Sequence, residues 1–438
     1  MPAVGPGGPV LVVGGGIAGL VAARALARGG REVIVFEASD RAGGQVARHT
    51  VGGLELDAGA ESFATRRGTV ATLAAHIGLA DDVVPPVDLP AWLYRADGTA
   101  KPLPATSVLG IPGVAMAPDV VDAIGLRAAM RAHLELLLPS LVGSRVTTIG
   151  ELVRARMGSA VVDQLVGPVV RGVHSMSPDE LPLDRAVPGL RAALLRDGSL
   201  MHAVRGMRAA APAGSQVAGI RGGIVRLVDE LVAELNRLGV ELRLNSPVNA
   251  VDRQGLTVAG ERWVGQVLVA AARVGEDPGD ERDARRRITL ATLVVEQPEL
   301  DAAPRGTGVL VAEGAPGVSA RALTHLTAKW PWLAERSGGL HALRLSYDAN
   351  TPGDDVDVLE RAPADAATLL GIPLGRVVDA ASVTWERAAP RTHAVDGMHY
   401  VGEAGAGTGL AAVIGQAEAE AEALLAENPP GTDPESQH

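Results

Sequence analysis

The stretch Val10-Leu11-Val12-Val13-Gly14-Gly15-Gly16-Ile17-Ala18-Gly19-Leu20, continued by Glu32-Val33-Ile34-Val35-Phe36-Glu37, decides the fold. Val10 to Val13 is a short β-branched run that ends in glycine. Leu20, Ala23, Leu26 and Ala27 then recur on one helical face until Gly29-Gly30 stops them. Glu32 to Glu37 reads as a second buried strand, so the segment is a β-α-β unit, the start of a doubly wound α/β sheet. In Gly14-x-Gly16-x-x-Gly19, Gly14 permits the tight turn and Gly16 admits a pyrophosphate to the backbone. Gly19 lets the helix pack on the sheet, and Gly15, Ile17 and Ala18 complete the turn that faces the phosphate charge. Glu37 stands where an acid accepts hydrogen bonds from ribose hydroxyls and repels a 2′-phosphate.

Composition narrows the rest. The chain has 438 residues, 47% hydrophobic and 21% charged, enough for two or three domains. Lys plus Arg total 40 against 51 for Asp plus Glu, a net charge of −11. With only five Trp, three Tyr and two Phe, neither a basic field nor base-stacking platforms are available, which excludes nucleic-acid binding. The absence of cysteine removes disulfides, thiolate metal sites, thiol nucleophiles and a cysteinyl-linked cofactor. The N-terminus lacks the basic region of a signal peptide, and Val10 to Ala23 is too short and glycine-rich to span a membrane. We therefore expect a cytoplasmic protein without an integral membrane segment. Peripheral membrane contact stays open at the apolar, Pro-rich loop Val108 to Pro118, but no amphipathic basic helix stands out to anchor it.

Along the chain, Val120 to Leu138 and Ile149 to Leu165 read as a helix-rich block. Gly214 to Gly223 reads as a loop before an amphipathic helix at Ile224 to Leu238. Val248 to Asp252, Thr289 to Glu296, Gly308 to Val311, His341 to Ser346 and Ala381 to Glu386 read as strands, and Asp277 to Arg287 as a charged loop. The expected organisation is a discontinuous nucleotide domain (1–87, 214–275 and 380–426), an α+β domain from 88–213 and 276–379, and a disordered tail at 427–438.

After Glu37 comes Ala38-Ser39-Asp40-Arg41-Ala42-Gly43-Gly44, which resembles the Glu-x-x-x-Arg-x-Gly-Gly extension of FAD-binding amine oxidases and protoporphyrinogen oxidases. Asp57-Ala58-Gly59-Ala60-Glu61-Ser62-Phe63, Lys101-Pro102-Leu103-Pro104 with Gly110-Ile111-Pro112, and Val166 to Val173 are similar to further elements of the bacterial coproporphyrinogen/protoporphyrinogen oxidases. So are Gly222-Gly223, Ala328-Lys329-Trp330-Pro331 and Trp385 to Pro390, in the same order. The resemblance covers nearly the whole chain. It implies a Rossmann-type FAD-binding domain with an interleaved substrate domain. The implied activity is an oxygen-dependent flavoenzyme of heme biosynthesis. Six electrons would leave a porphyrinogen in three two-electron steps, each a hydride to flavin N5, with O₂ accepting them as H₂O₂. No catalytic side chain and no metal are then required.

By the same resemblance, Gly14 to Gly19, Glu37, Ala38, Arg41, Gly43 and Gly44 would hold the diphosphate and ribose of a non-covalent FAD. Gly59, Ala60, Glu61 and Ser62 would lie beside the isoalloxazine, and Val248 near the adenine. Trp385 with Thr408, Gly409 and Leu410 would close the flavin side. Arginine is the expected anchor for a tetracarboxylate substrate, which singles out Arg66, Arg67 and Arg171, with His174 beside them. Solvated surface arginines and a structural histidine are the plain alternatives. Lys329 reads as structural, its stem packed on Trp330 or Trp332. The C-terminal Gly402-Glu403-Ala404-Gly405 is closer to the general amine oxidase pattern, and the segment from Pro390 to His399 is short. A divergent flavin oxidase acting on an amine or another donor therefore stays open, as does a non-catalytic FAD-binding paralogue. So do contacts with other heme-pathway enzymes.

Overall fold

The computed structural model describes residues 8–65, 68–174, 176–210, 217–271, 274, 286–348, 358–387, 398–407 and 409–427. The opening motif folds as its pattern demands. Strand β1 (Val10–Val13) is fully buried, helix α1 (Ile17–Arg28) follows, and β2 (Val33–Phe36) returns parallel to β1. Strands β3 (Glu241–Arg243), β4 (Gln266–Val269) and β5 (His399–Tyr400) complete a parallel sheet in the order β3-β2-β1-β4-β5. A strand buried on both faces must be apolar throughout, and β1 and β2 are. Helices α2 (Arg226–Arg237) and α3 (Leu410–Glu427) pack beside α1, and Leu20, Leu26, Leu231, Ile414 and Leu424 share one core. Arg24 and Arg28 of α1 both reach Glu234 of α2, at 2.7 and 2.9 Å.

The second layer is a seven-stranded sheet. Its order is Arg376–Arg387, Arg286–Glu296, His341–Asp348, Ala322–His325, Gly308–Val311, Ala91–Tyr94, Ala100–Pro102. All neighbours are antiparallel except Gly308–Val311 against Ala91–Tyr94. The strand Arg376–Arg387 runs unbroken past position 380 on the register of Arg286–Glu296, so the expected junction at 380 falls inside an element of this sheet. A helical block over residues 118–210 forms the third layer.

Three expectations need correction. Within the supposed loop Gly214 to Gly223, Val217–Ile220 is a strand that pairs with Phe63–Ala64 and Val83–Val84. Its glycine content hid it, and Gly219 is required because a Cβ there would lie 2.7 Å from the Trp330 ring. Of the charged loop, residues 277–285 lie outside the described residues, whereas Arg286 already belongs to a strand. The third concerns the helix Leu126–His133 and the 3₁₀ turn Leu134–Leu137. Their buried side is Ala129, Ala132 and Glu135, while Leu126, Met130, Leu134 and Leu137 face water. An amphipathic, arginine-bearing helix is therefore present. The expected tail, beyond Glu427, lies outside the described residues.

One buried ion pair holds this last turn. The Arg156 guanidinium meets the Glu135 carboxylate at 2.8 Å with both side chains 0% exposed. It also donates to the carbonyls of Pro139 and Val142 at 3.0 and 3.1 Å. Glu135 in turn accepts from Ser199 Oγ and from the amides of Leu200 and Met201. Glu135→Ala leaves a buried cation unpaired and is expected to lose about 3–5 kcal/mol of stability in chemical denaturation. The double change Glu135→Leu with Arg156→Met should recover most of that loss, because neither charge is then stranded.

Candidate functional site

The glycine-rich turn leaves a bare backbone cradle. Gly14 adopts φ +103°, open to glycine, and a Cβ there would crowd Ala271 N at 3.0 Å. A Cβ at Gly19 would fall 2.0 Å from the Gly14 carbonyl oxygen, so only glycine lets α1 approach. Gly16, by contrast, faces open space, with only Gly44 Cα at 4.0 Å. No side chain caps the start of α1, so the amides of its first turn, Ile17 and Ala18 among them, point at that space. Gly43 and Gly44 form its far wall, Gly43 bridging to Gly16. Gly43 has φ +108°, and a Cβ on it would strike Val46 O at 2.3 Å. An uncapped helix N-terminus beside bare glycines is chemically suited to a diphosphate.

Glu37 is the organiser of the rim. Its carboxylate accepts from Gly15 N at 2.7 Å and from Ser39 N and Oγ at 2.9 and 2.7 Å. The Arg41 carbonyl lies 2.8 Å from the same Ser39 Oγ, and Arg41 donates to Gly44 O at 3.2 Å, which gathers Glu37, Arg41 and Gly44 around one turn with Ala38 exposed on it. Val248 starts the strand Val248–Asp252 and packs at the margin of the cluster of Leu11, Ile34 and Phe36, off the central sheet.

Beyond the cradle lies a hub at Asp57 to Glu61, where the two sheets meet. The Arg344 guanidinium donates to Gly59 O at 2.9 Å and also to Asp57 O. Trp385 Nε1 donates to Ala58 O at 3.1 Å. The Asp57 carboxylate accepts from Ile224 N and Val225 N, both at 3.0 Å. Glu61 accepts from Lys329 Nζ at 2.8 Å and from Trp330 Nε1 at 2.6 Å, and Ser62 Oγ lies 3.3 Å away. Burial would raise the Glu61 carboxyl, but the Lys329 charge and hydrogen bond, the Trp330 hydrogen bond and the Arg344 charge bring it below its usual value. Asp57 goes the other way. Burial pushes it up to about 6, against its two backbone hydrogen bonds and Arg344. The Lys329 ammonium lies 5.2 Å from the Trp330 ring centroid, and its ion pair with Glu61 was not foreseen. Arg344, buried at 6% exposure, was not foreseen either; its position in an apolar strand gave no signal.

The remaining candidates scatter. Arg171 pairs with Glu313 at 2.8 Å and lines a cleft of about 380 Å³ with Arg95 and Arg154, none of them part of the hub. His174 ends the helix Gly167–His174 that carries Arg171, and its side chain lies outside the described residues, as do Arg66, Arg67 and Thr408. Gly409 takes φ +108° at the start of α3, and Leu410 is buried. Gln416 seals that turn, accepting from Gly402 N and donating to Tyr400 O. Among the described residues no group of three or more His, Asp or Glu is placed to hold a metal ion.

Two checks follow. Gly19→Ala should release bound flavin, dropping the flavin-to-protein ratio after gel filtration at least ~tenfold, because the cradle cannot keep its geometry. The second concerns acid. Burial, then the facing His341, depresses His325 to about 3, and burial, then Arg344, depresses His49 to about 4. The unfolded chain therefore binds more protons than the folded one below the ordinary histidine range, so stability is lost as pH falls from about 6.5 toward 4. Asp57, raised to about 6, contributes the opposite slope over part of that window, and the two histidines outweigh it. The melting temperature should fall from pH 7 to pH 5, and His325→Gln should flatten the decline.

Residues 17–274 match the profile of the family described as flavin containing amine oxidoreductase. The coproporphyrinogen III oxidase of Mycobacterium tuberculosis is 31% identical over 402 residues, 87% of this chain and 86% of that one. That of Propionibacterium freudenreichii is 32% identical over 300 residues, 60% of this chain and 56% of the relative. A candidate protoporphyrinogen oxidase from Exiguobacterium superposes with a TM-score of 0.80 at 23% identity, covering 96% of this chain and 99% of that one. Putrescine oxidase shares the fold at a TM-score of 0.64 and 16% identity, over 96% and 99% of the two chains. With the fold, the glycine cradle and these likenesses in agreement, the chain belongs to the flavin-containing amine oxidoreductases, as a divergent member of their coproporphyrinogen/protoporphyrinogen oxidase branch.

Proposed function

We propose that this flavoprotein is an FAD-dependent oxidase that converts coproporphyrinogen III to coproporphyrin III in the cytoplasm. What supports the reading most is coverage: the likeness to mycobacterial coproporphyrinogen III oxidase spans both sheets and the helical layer, not the nucleotide motif alone. Aromatising one porphyrinogen removes six electrons and six protons, so three O₂ are reduced to three H₂O₂. FAD supplies a two-electron acceptor that can pass its electrons to O₂.

The chain's own residues supply the holding. Amides at the start of α1 would face the diphosphate, with Gly43 and Gly44 as the opposite wall. Glu37 is placed to take ribose hydroxyls, and its bond to Gly15 N couples that recognition to the phosphate turn. The hub fixes the backbone at Gly59 to Ser62 from three sides, which would orient the redox-active ring against the substrate domain. Since the chain has no cysteine, no thioether link can form, and we read the FAD as non-covalent. Arg66 and Arg67, which follow the Asp57 to Ser62 run in sequence, are the proposed carboxylate anchors, with Arg171 and His174 as further candidates.

Anaerobic mixing of the flavin-loaded protein with coproporphyrinogen III tests this. The long-wavelength flavin band should bleach rapidly, and porphyrin fluorescence should appear in step with three H₂O₂ per porphyrin once air is admitted. A folded, loaded protein whose flavin stays oxidised with this donor rejects the assignment. Bleaching by an amine instead would move the chain to the amine-oxidising reading.

A further inference from the structure

One side chain crosses from the helical layer to the turn that opens α3. The helical turn Leu183–Ala186 buries Leu183 and Ala186 in the helical core and leaves Arg185 exposed. Its backbone is firmly held. Leu183 N donates to Thr147 O at 2.9 Å, the amides of Arg185 and Ala186 donate to Pro182 O at 3.1 and 2.9 Å, and Thr148 bridges to Pro182. Asp184, the neighbouring acid, pairs with Arg191 at 3.8 Å. The Arg185 stem therefore starts from a fixed point, and its guanidinium lands on Gly407.

A Cβ on Gly407 would lie 2.8, 2.9 and 3.0 Å from Arg185 Cζ, Nε and Nη1. Three atoms of one planar group at nearly equal distance mean that its flat face, not its edge, covers the glycine. A guanidinium donates in its plane, so lying on Gly407 uses none of its five donors. Among the described residues no side chain or carbonyl accepts from them. Gly407 is buried beneath the group with φ +82°, whereas Gly409 is exposed and a Cβ on it would meet nothing within 4 Å. An exposed cation with a full set of donors thus stands beside an open turn. A second basic segment approaches the same helix. A Cβ on Gly415, in the second turn of α3, would lie 3.4 Å from the side chain of Thr69, which opens the helix Thr69–His76. Arg66 and Arg67 come just before Thr69 in the sequence.

We propose that Arg185 binds one carboxylate of the tetracarboxylate porphyrinogen and sets the preference for four-carboxylate over two-carboxylate macrocycles. This rests on the oxidase reading above, in which Thr408, Gly409 and Leu410 close the flavin side. The diphosphate has its own amides and glycines at the start of α1, whereas Arg185 comes from the helical layer. A planar fork with its donors free suits a carboxylate, which it can take through two parallel bonds. Arg154 and Arg171 already hold carboxylates, and Arg185 holds none among the described residues. Net charge points the same way. At −11 the overall field disfavours four carboxylates more than two, so a preference for four must come from local cations.

The test uses the full flavin-loaded chain and two stable porphyrins, coproporphyrin III with its four carboxylates and protoporphyrin IX with two, titrated by fluorescence quenching. Arg185→Gln should weaken coproporphyrin III binding at least ~tenfold and protoporphyrin IX binding far less. In turnover, KM for coproporphyrinogen III should rise by a similar factor while kcat holds, the mark of an interaction made equally in ground and transition states. Arg185→Lys should recover part of the loss, since it keeps the charge without the fork. Melting temperature and flavin content should match the wild type, because the side chain is exposed. Unchanged affinity in Arg185→Gln overturns the proposal, as does an equal loss for both porphyrins. A fall in flavin content or melting temperature assigns Arg185 to packing on the Gly407 turn and overturns it too. If the wild type oxidises coproporphyrinogen III and Arg185→Gln keeps its KM, this inference alone fails. If the wild-type flavin stays oxidised, the oxidase reading is rejected, and the role of Arg185 with it.

Discussion

The structure turns on a five-residue segment, Asp57 to Glu61, whose carbonyls are held by side chains from the neighbouring sheet. Arg344 takes two of them and Trp385 a third, while Lys329 and Trp330 take the Glu61 carboxylate. Backbone carbonyls buried between two layers must find donors, and here side chains supply them. Arginine solves this because one planar group carries five donors and stays charged when buried. The consequence is rigidity where the nucleotide layer meets the larger sheet, since moving either layer would strand several polar groups at once.

The hub also divides its charges by environment. Glu61 sits between two cations and is held ionised, whereas Asp57 caps the approach to α2 and is pushed up to about 6 by burial. The Lys329 ammonium is thus committed to Glu61 and screened by the Trp330 face. A lysine tied this way is a positioned, desolvated charge rather than a mobile surface group, and its bond fixes the loop that carries Gly59 to Ser62. Packing and electrostatics cooperate, because Gly219 leaves room for the Trp330 ring that completes the Glu61 site.

Legibility followed distance along the chain. The pattern at Gly14 to Gly19 and Glu37 could be read directly, because the turn, helix start and second strand lie within 28 residues, and Gly14 and Gly19 each have a local steric reason. The Glu61–Lys329 pair spans 268 residues, and nothing in a local pattern joins them. Arg344 stands among Leu343, Leu345 and Tyr347, where periodicity sees a strand and cannot say what one charged residue reaches. Val217–Ile220 was missed because it contains Gly219 and runs into Gly222-Gly223, a glycine pattern that reads as loop although Gly219 is there to admit an indole. The inside-out helix escaped for a different reason. Pattern reading assumes that large apolar residues face the core, and here alanine and a paired glutamate do.

The arginine cleft shows why counting charges does not locate an anion site. Arg95, Arg154 and Arg171 converge there, but with Asp97, Asp163, Asp179 and Glu313 beside them the formal balance is negative. Arg154 is held by Asp179 through two bonds of 2.7 and 2.9 Å, so an incoming carboxylate gains little by replacing that partner. Arg171 differs. Its one carboxylate partner among the described residues, Glu313, is 81% exposed, and such a pair contributes on the order of a kilocalorie per mole or less. Exchange of Glu313 for another carboxylate would therefore cost little, whereas exchange at Arg154 would break a bidentate lock. At physiological salt, fields beyond ~8 Å are screened, so the overall charge of −11 does not bar a polyanion from a site where one arginine can change partners.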